Sequence, residues 1–469
     1  VTTTASNPTS SSPGYRVVNP ATGVVVEEFP TATDAEVELA ITAADAAFAS
    51  WREVPIAERA VIVARIGALF TERKDELGAI ITEEMGKRLA ESVGEAEFCT
   101  EIFDYFATEG PGLAADQPIK ALDGASAVIQ KLPVGPLLGI MPWNYPYYQV
   151  ARFAAPNLML GNTIILKHAE NCPRSALAIA QLMNDAGLPA GAYVNVFASH
   201  AQIETIIADP RIQGVSLTGS ERAGAAVAQT AGKNLKKVVL ELGGSDPYIV
   251  LDSADVVASA REAFGTRMDN AGQACNSNKR MIVMDDIYDD FVAELTAQAS
   301  RITPGDPAGE EPDTFVPLSS AAAASSLLAQ IDDAVSKGAV LHTGGKRVDG
   351  PGSYVEPAVL TGITKDMRAY REELFGPAVV VYKVSSDEEA VALANDSDYG
   401  LGAAVFSTDA ERAKAVARQL QSGMAAVNAA AGEGAGMPFG GVKRSGYGRE
   451  LGPLGMDEFV NKRLVYIAG

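Results

Sequence analysis

Val215-Ser-Leu-Thr-Gly-Ser-Glu-Arg-Ala-Gly224 reads as a short apolar strand, a Gly-Ser turn and the first turn of a helix. The same unit recurs on both sides. Upstream, from Gly135, strands are expected over 137–141, 163–166, 193–197 and 214–217, with helices over 175–186 and 202–208. Downstream, a helix over 221–231 leads to a strand over 238–240. The alternation then restarts, with strands over 248–251, 280–284, 378–384, 403–406 and 424–427 and helices over 256–268, 291–302, 387–395 and 410–420. Parallel neighbours need a crossover that a tight turn cannot supply. Strands and helices in this alternation therefore predict an α/β protein with two open parallel sheets, meeting at 242–246.

The earlier part of the chain has a helical pattern. Thr33-Asp-Ala-Glu36 matches a capping box, in which a hydroxyl and a carboxylate each satisfy an exposed backbone N–H. An Ala-rich helix should run to about Trp51, a second should open at Pro55, and a third should cover 84–108. Asp123-Gly124, between two short extended runs in 118–130, signals a hairpin. A lone two-stranded ribbon is marginal in water, so this one is expected to lean on a partner, such as another subunit. Val1 to Gly14 is rich in Thr, Ser and Pro, with no basic start and no apolar core. It reads as a frayed tail rather than a signal peptide.

Composition narrows the function. A chain of 469 residues suggests two to four domains at roughly 150 residues each. Acidic residues outnumber basic ones 59 to 38, and no long basic run occurs, which argues against a nucleic-acid or anionic-membrane partner. The three cysteines, Cys99, Cys172 and Cys275, lack paired spacing. They fit a reducing, cytoplasmic setting rather than a disulfide scaffold. The three histidines, His168, His200 and His342, form no metal-binding pattern, so no dedicated metal site is expected. No apolar run reaches the ~18 residues of a membrane span.

Several stretches could hold a nucleotide. Gly-x-Gly-x-x-Gly between strand and helix is absent, and Gly446-Tyr-Gly448 reads as a turn. The Gly219-Ser220 turn places a helix N-terminus, with its free N–H groups, where a phosphate could bind. An N-cap serine would look the same. Lys167 and Glu170 follow the 163–166 strand, at the end where open α/β sheets bind ligands. Glu170 could accept from both adenosine ribose hydroxyls and would repel a 2′-phosphate, which favours NAD over NADP. The alternative is a surface Lys–Glu pair. Glu373 could hold a second ribose and Phe375 could lie against a nicotinamide ring, unless Glu372-Glu-Leu-Phe-Gly-Pro377 is simply an acidic turn.

Three residues suggest chemistry. Cys275 follows the unbulky Gly272-Gln-Ala after a predicted helix, near the junction of the two sheets. It is either a thiolate nucleophile or a small buried hydrophobe. Asn144, in Pro142-Trp-Asn-Tyr-Pro146, sits in a loop stiffened by prolines. Its amide could serve a developing oxyanion, or it could be a turn residue. Glu241 closes an apolar strand before Gly243-Gly244. It could be a base with a raised pKa or a solvated strand-end charge. If the three converge beside a nucleotide, the chemistry is aldehyde oxidation.

In this order the motifs resemble the aldehyde dehydrogenase superfamily, from about Asn19 to Tyr466. They are Pro-Trp-Asn144, Lys167-x-x-Glu170, Thr218-Gly-Ser220, Glu241-Leu-Gly-Gly, Gly272-Gln-x-Cys275, Glu373-x-Phe375-Gly-Pro, and Pro438-Phe-Gly-Gly-x-Lys-x-Ser-Gly-x-Gly-Arg449-Glu. The resemblance implies two Rossmann-like domains, with NAD bound by 1–114 and 134–241 and catalysis in 242–445. An oligomerisation arm and tail would comprise 115–133 and 446–469, giving a homodimer or homotetramer. It also implies that Cys275 is the nucleophile, Glu241 the base for thioester hydrolysis, and Asn144 with the Cys275 N–H the oxyanion hole. Trp143, Lys167, Glu170, Gly219, Ser220, Leu242, Glu373 and Phe375 would bind NAD, with NADP possible.

Asn144-Tyr-Pro, Arg152-Phe-Ala-Ala-Pro156-Asn, Leu166-Lys-His-Ala and Lys443-Arg-Ser-Gly-Tyr-Gly-Arg-Glu are similar to the succinate-semialdehyde dehydrogenase branch. There Arg152 would meet a substrate carboxylate. This chain carries Asp269 in place of a second arginine of that branch. It also has the Gly/Ala stretch 431–436 where a serine is expected, polar Asn276-Ser-Asn278, and Tyr147-Tyr148 in place of an aliphatic–Trp pair. An aromatic or other small polar aldehyde is the alternative substrate. CoA-acylating and catalytically inert relatives are the further alternatives. Retained Glu241 speaks against the first, and intact Cys275, Glu241 and Asn144 against the second.

Overall fold

The computed structural model describes residues 14–121, 124–432 and 434–468. The N-terminal tail, save Gly14, and Asp123 of the hairpin turn lie outside them. The first sheet contains β1 (Pro136–Met141), β2 (Thr163–His168), β3 (Tyr193–Asn195), β4 (Gly214–Thr218) and β5 (Lys237–Glu241). Their order is β5-β4-β1-β2-β3, all parallel. The chain moves outward from β1 to β3, then returns to place β4 on the other side of β1. That reversal opens a crevice beyond the carboxyl ends of β1 and β4, the usual ligand position in such sheets.

The second sheet contains β6 (Pro247–Val250), β7 (Arg280–Met284), β8 (Val340–Thr343), β9 (Ala358–Thr361), β10 (Ala378–Val384), β11 (Ala404–Phe406) and β12 (Ala426–Val427). Its order is β8-β9-β10-β7-β6-β11-β12, parallel except for the edge strand β8. Both sheets are nearly continuous in Val, Ile and Leu because helices cover both faces.

The Thr33–Glu36 capping box forms as expected. The single helix expected over 84–108 is instead two, Lys74–Met85 and Leu89–Leu113. Gly86 separates them at φ +78°, a left-handed helix end that glycine adopts without strain. Among the described residues, no helix is long and apolar enough to cross a membrane.

The hairpin region forms a three-stranded antiparallel sheet, in which Ser126–Pro133 lies between Gln117–Ile119 and Val460–Ile467. Gly446–Tyr447 is not a turn of the tail but a short strand antiparallel to β5. A Cβ at Gly446 would lie 2.0 Å from the Leu240 carbonyl oxygen, so only glycine lets the backbones approach this closely.

Candidate active site

The carboxyl end of the first sheet collects most of the expected residues. Trp143 and Asn144 follow β1, Lys167 ends β2 with Glu170 just beyond, Gly219 and Ser220 follow β4, and Glu241 ends β5. Lys167 Nζ lies 3.4 Å from Glu170 Oε1. Lys167 is buried, whereas Glu170 is half-exposed. The Ser220 hydroxyl accepts from Ala223 N–H, so it caps the helix Glu221–Lys233. Leu242 packs its side chain against Gly224, whose missing Cβ leaves the room.

The second sheet contributes from loops that enter its strands. After the helix Val256–Met268 the backbone turns left-handed at Asn270, Ala271 and Gly272, with φ of 49°, 51° and 74°. The strain at Asn270 and Ala271 is offset by a dense set of hydrogen bonds. Asn270 Nδ2 donates to the Asn144 carbonyl at 2.8 Å, Asn144 Nδ2 donates to the Gln273 carbonyl at 2.9 Å, and Ser319 N–H donates to Gln273 Oε1. The Asn144 loop and the Cys275 loop are thus locked together across the junction, which places the amide beside the thiol.

Cys275 is partly exposed, whereas Cys99 and Cys172 are buried. Burial of the thiol group pushes its pKa up to about 11, against the pull of Arg152 and Lys279. The resting thiol is therefore protonated and must lose its proton to react. Glu241 is buried, and neither carboxylate oxygen has a hydrogen-bond partner. Burial raises its pKa well above the ordinary carboxylate range; Arg152 opposes this and Glu450 adds to it. A Cβ on Gly440 would lie 2.6 Å from Glu241 Oε1, so this glycine (φ +149°) makes room for the carboxylate.

Arg152 has partners within the protein. Its side chain is fully buried and forms an ion pair with Glu450. The guanidinium lies over the Tyr148 and Phe439 rings and donates to Thr218 Oγ1 at 3.2 Å. It supports Glu241 and Cys275 electrostatically from behind.

A model of the aldehyde dehydrogenase family matches residues 7–465. The chain belongs to this family. It is 53% identical to a succinate-semialdehyde dehydrogenase [NADP(+)] of Deinococcus radiodurans, over 96% of this chain and 94% of the relative. Among solved structures it resembles succinic semialdehyde dehydrogenase from Streptococcus pyogenes in complex with NADP+ (TM-score 0.94, 42% identity, covering 97% of this chain and 100% of that one). It also resembles betaine aldehyde dehydrogenase from Staphylococcus aureus in complex with NAD+ (TM-score 0.92, 32% identity, 96% and 91% covered). The protein is an NAD(P)-dependent aldehyde dehydrogenase with the α/β fold of that family.

Two residues of this dehydrogenase escaped the sequence reading. Lys279, 1% exposed, donates to the Ala274 and Cys275 carbonyls at 2.7 Å each and pairs with Glu373 at 2.9 Å. Arg267, also buried, donates to the carbonyls of Gly272, Leu374, Gly376 and Ala378 and to Ser277 Oγ. Together they bind the Cys275 loop to the Glu373–Phe375 loop. Gly244 N–H donates to Glu373 as well, and Trp143 meets Phe375 edge-on at 5.8 Å. The available signal was weak: a cation in a helix's last turn and one after the thiol normally read as solvated charges.

The residues present fit a dinucleotide. Two carboxylates, Glu170 and Glu373, and an ammonium, Lys167, have the chemistry that ribose hydroxyls and phosphates call for. A cavity of about 710 Å³ reaches Cys275, lined by Tyr145, Tyr148, Gln149, Met424 and Phe439 among others.

Proposed function

We propose that Cys275 Sγ adds to the carbonyl of a small aldehyde, and that Asn144 Nδ2 and the Cys275 N–H hold the oxyanion that forms. Trp143, Lys167, Glu170, Gly219, Ser220, Leu242, Glu373 and Phe375 line or shape the dinucleotide crevice. When bound there, the nicotinamide supplies the hydride acceptor. Glu241 then takes a proton from water, and hydrolysis of the Cys275 thioester releases a carboxylic acid. The observation that carries this reading is the buried Glu241 carboxylate, which has no hydrogen-bond partner and couples electrostatically to Cys275. Such a carboxylate keeps its lone pairs available to accept a proton.

The Glu170 carboxylate supports a preference for NAD+, because it would repel a 2′-phosphate; the relatives named for NADP+ set the opposite expectation. The family relatives also make succinate semialdehyde one substrate to test. The 117–119 and 460–467 edge strands of the arm expose Ile119, Leu464, Tyr466 and Ile467, which supports assembly with a second copy. The test is steady-state kinetics on an aldehyde panel with both dinucleotides, with and without CoA. Acid formation without CoA supports the reading, and an absolute requirement for CoA overturns it.

A further inference from the structure

The run of carbonyls from Gly272 to Cys275 is held by side-chain donors. Gly272 O accepts from Arg267 Nη1 at 3.0 Å and Gln273 O from Asn144 Nδ2 at 2.9 Å. The Ala274 and Cys275 carbonyls both accept from Lys279 Nζ, at 2.7 Å each. Lys279 is 1% exposed, and its ammonium also meets Glu373 Oε1 at 2.9 Å. An ammonium has three donors, and these three partners use them all. A buried charge is costly unless it is paired and hydrogen-bonded; this one is both, and two of its partners are the backbone of the nucleophile's loop.

The Ala274 carbonyl shares a peptide unit with the Cys275 N–H. No peptide bond among the described residues is cis, so the two groups point in opposite directions. With the carbonyl held by Lys279, the Cys275 N–H is turned away from the ammonium. Asn144, the other proposed oxyanion donor, is fixed in a comparable way. Its Oδ1 accepts from Gln149 Nε2 at 2.9 Å, and one of its N–H groups goes to Gln273. Gln149 Oε1 has no partner of its own. A Cβ on Gly244 would lie 2.4 Å from the Cys275 carbonyl oxygen, so that carbonyl occupies space that a glycine leaves.

Charge points to the same residue. The thiol is faced by the cations Arg152 and Lys279, the carboxylates Glu373 and Glu241, and the Tyr145 and Tyr148 phenols. Burial raises the thiol's pKa most; Lys279 opposes that rise and Glu373 adds to it. The two halves of one ion pair therefore act on the thiol with opposite signs. Arg152 belongs to another pair, with Glu450. Lys279 does not line the cavity that reaches Cys275, so it acts through the loop's backbone and through its field.

We propose that Lys279 is a positioning residue for the reaction at Cys275: through the Ala274 carbonyl it aims the Cys275 N–H at the oxyanion, and its charge, offset by Glu373, favours the thiolate. The inference rests on the reading of Cys275 as the nucleophile. Lys279 neither gains nor loses a proton in this role.

Two readouts test it. Alkylation of Cys275 by iodoacetamide in the dinucleotide-free enzyme, located by peptide mass, reads the charge; the single-turnover rate of reduced-nicotinamide formation reads the aim of the N–H. Lys279→Met should displace the pH profile of alkylation upward, so that the rate at about pH 8 falls about tenfold. Glu373→Gln should displace it downward. Lys279→Met should also lower the single-turnover rate by about 10²-fold, with a much smaller change in aldehyde KM. Lys279→Arg, which keeps the charge, should return the alkylation profile towards that of the wild type. Lys279→Met combined with Glu373→Gln removes the buried pair as a unit, a change that folded proteins tolerate better than loss of one partner. It should alkylate at close to the wild-type rate and still turn over slowly. A wild-type value of either readout in Lys279→Met, or displacements of the same sign in Lys279→Met and Glu373→Gln, overturns the inference and leaves the proposed function standing. Full alkylation of Cys275 without loss of turnover overturns both.

Discussion

In the first sheet the functional side chains follow their strands, whereas in the second they precede them. Asn144, Glu170, Ser220 and Glu241 lie at the carboxyl ends of β1, β2, β4 and β5. Asp246, Cys275 and Glu373 sit in the loops that lead into β6, β7 and β10. The carboxyl end of one sheet therefore faces the amino end of the other. The first arrangement is general: helix N-termini gather there and offer free N–H groups. The second needs special backbone, three consecutive left-handed residues and the buried cations Arg267 and Lys279. On the proposed reading, binding falls mainly to the first sheet and the attacking atom to the second.

The largest expected effect comes from removing that atom. Cys275→Ala should abolish reduced-nicotinamide formation with every aldehyde while dinucleotide binding, followed by fluorescence titration, persists. Residual turnover would mean that the first sheet alone carries chemistry. Glu241→Gln tests the reverse division. It should keep a single-turnover burst and lower the steady-state rate by about 10²- to 10⁴-fold, the range for a lost general base. Loss of the burst as well would give Glu241 a role before hydrolysis.

Arg152 connects the two sets of residues. Arg152→Met should leave Glu450 buried without its counter-ion and cost about 3–5 kcal/mol of stability, read from denaturant midpoints. Adding Glu450→Gln should restore much of it. Charged and neutral aldehydes should lose activity alike; a loss confined to carboxylated aldehydes would return Arg152 to the substrate.

The smallest effects are on the pH dependence of stability, and they have opposite signs in the two sheets. His168, at the end of β2, is fully buried, and burial pushes its pKa down to about 4. The unfolded chain binds its proton near the ordinary 6.5, so this contribution is present above pH 6.5 and lost as pH falls towards 4. Asp246, entering β6, is pushed up to about 6 by burial. Its contribution is present below the ordinary 3.8 and lost as pH rises through 6. His168→Gln should flatten the acid limb of a stability profile, whereas Asp246→Asn should raise stability above pH 6. Equal slopes in both variants would break the contrast.

Much of this was legible in advance. The strand–helix rhythm, the switch to the second sheet at 242–246 and the motif residues at strand ends are local, because hydrophobic periodicity and turn chemistry act over a few residues. Gly86 broke the third helix because a left-handed cap outweighs a continuous apolar stripe. Gly446–Tyr447 joined β5 because a backbone–backbone approach leaves no mark beyond the glycine itself. The partner of Arg152 was hidden for a similar reason: its type suits a carboxylate, and its ion-pair partner in the fold is Glu450, almost 300 positions away.

By itself the sequence determined the fold class and the family, and it singled out a thiol, a carboxyl and an amide, since each is written in contiguous motifs. Only the tertiary structure decided which groups those side chains face. It turned Arg152 inward to Glu450, left Glu241 and Gln149 with unpaired acceptors, and bound the Cys275 loop through Arg267 and Lys279. Charge pairing and burial depend on distances between residues far apart in the chain, and such distances exist only once the two sheets have packed.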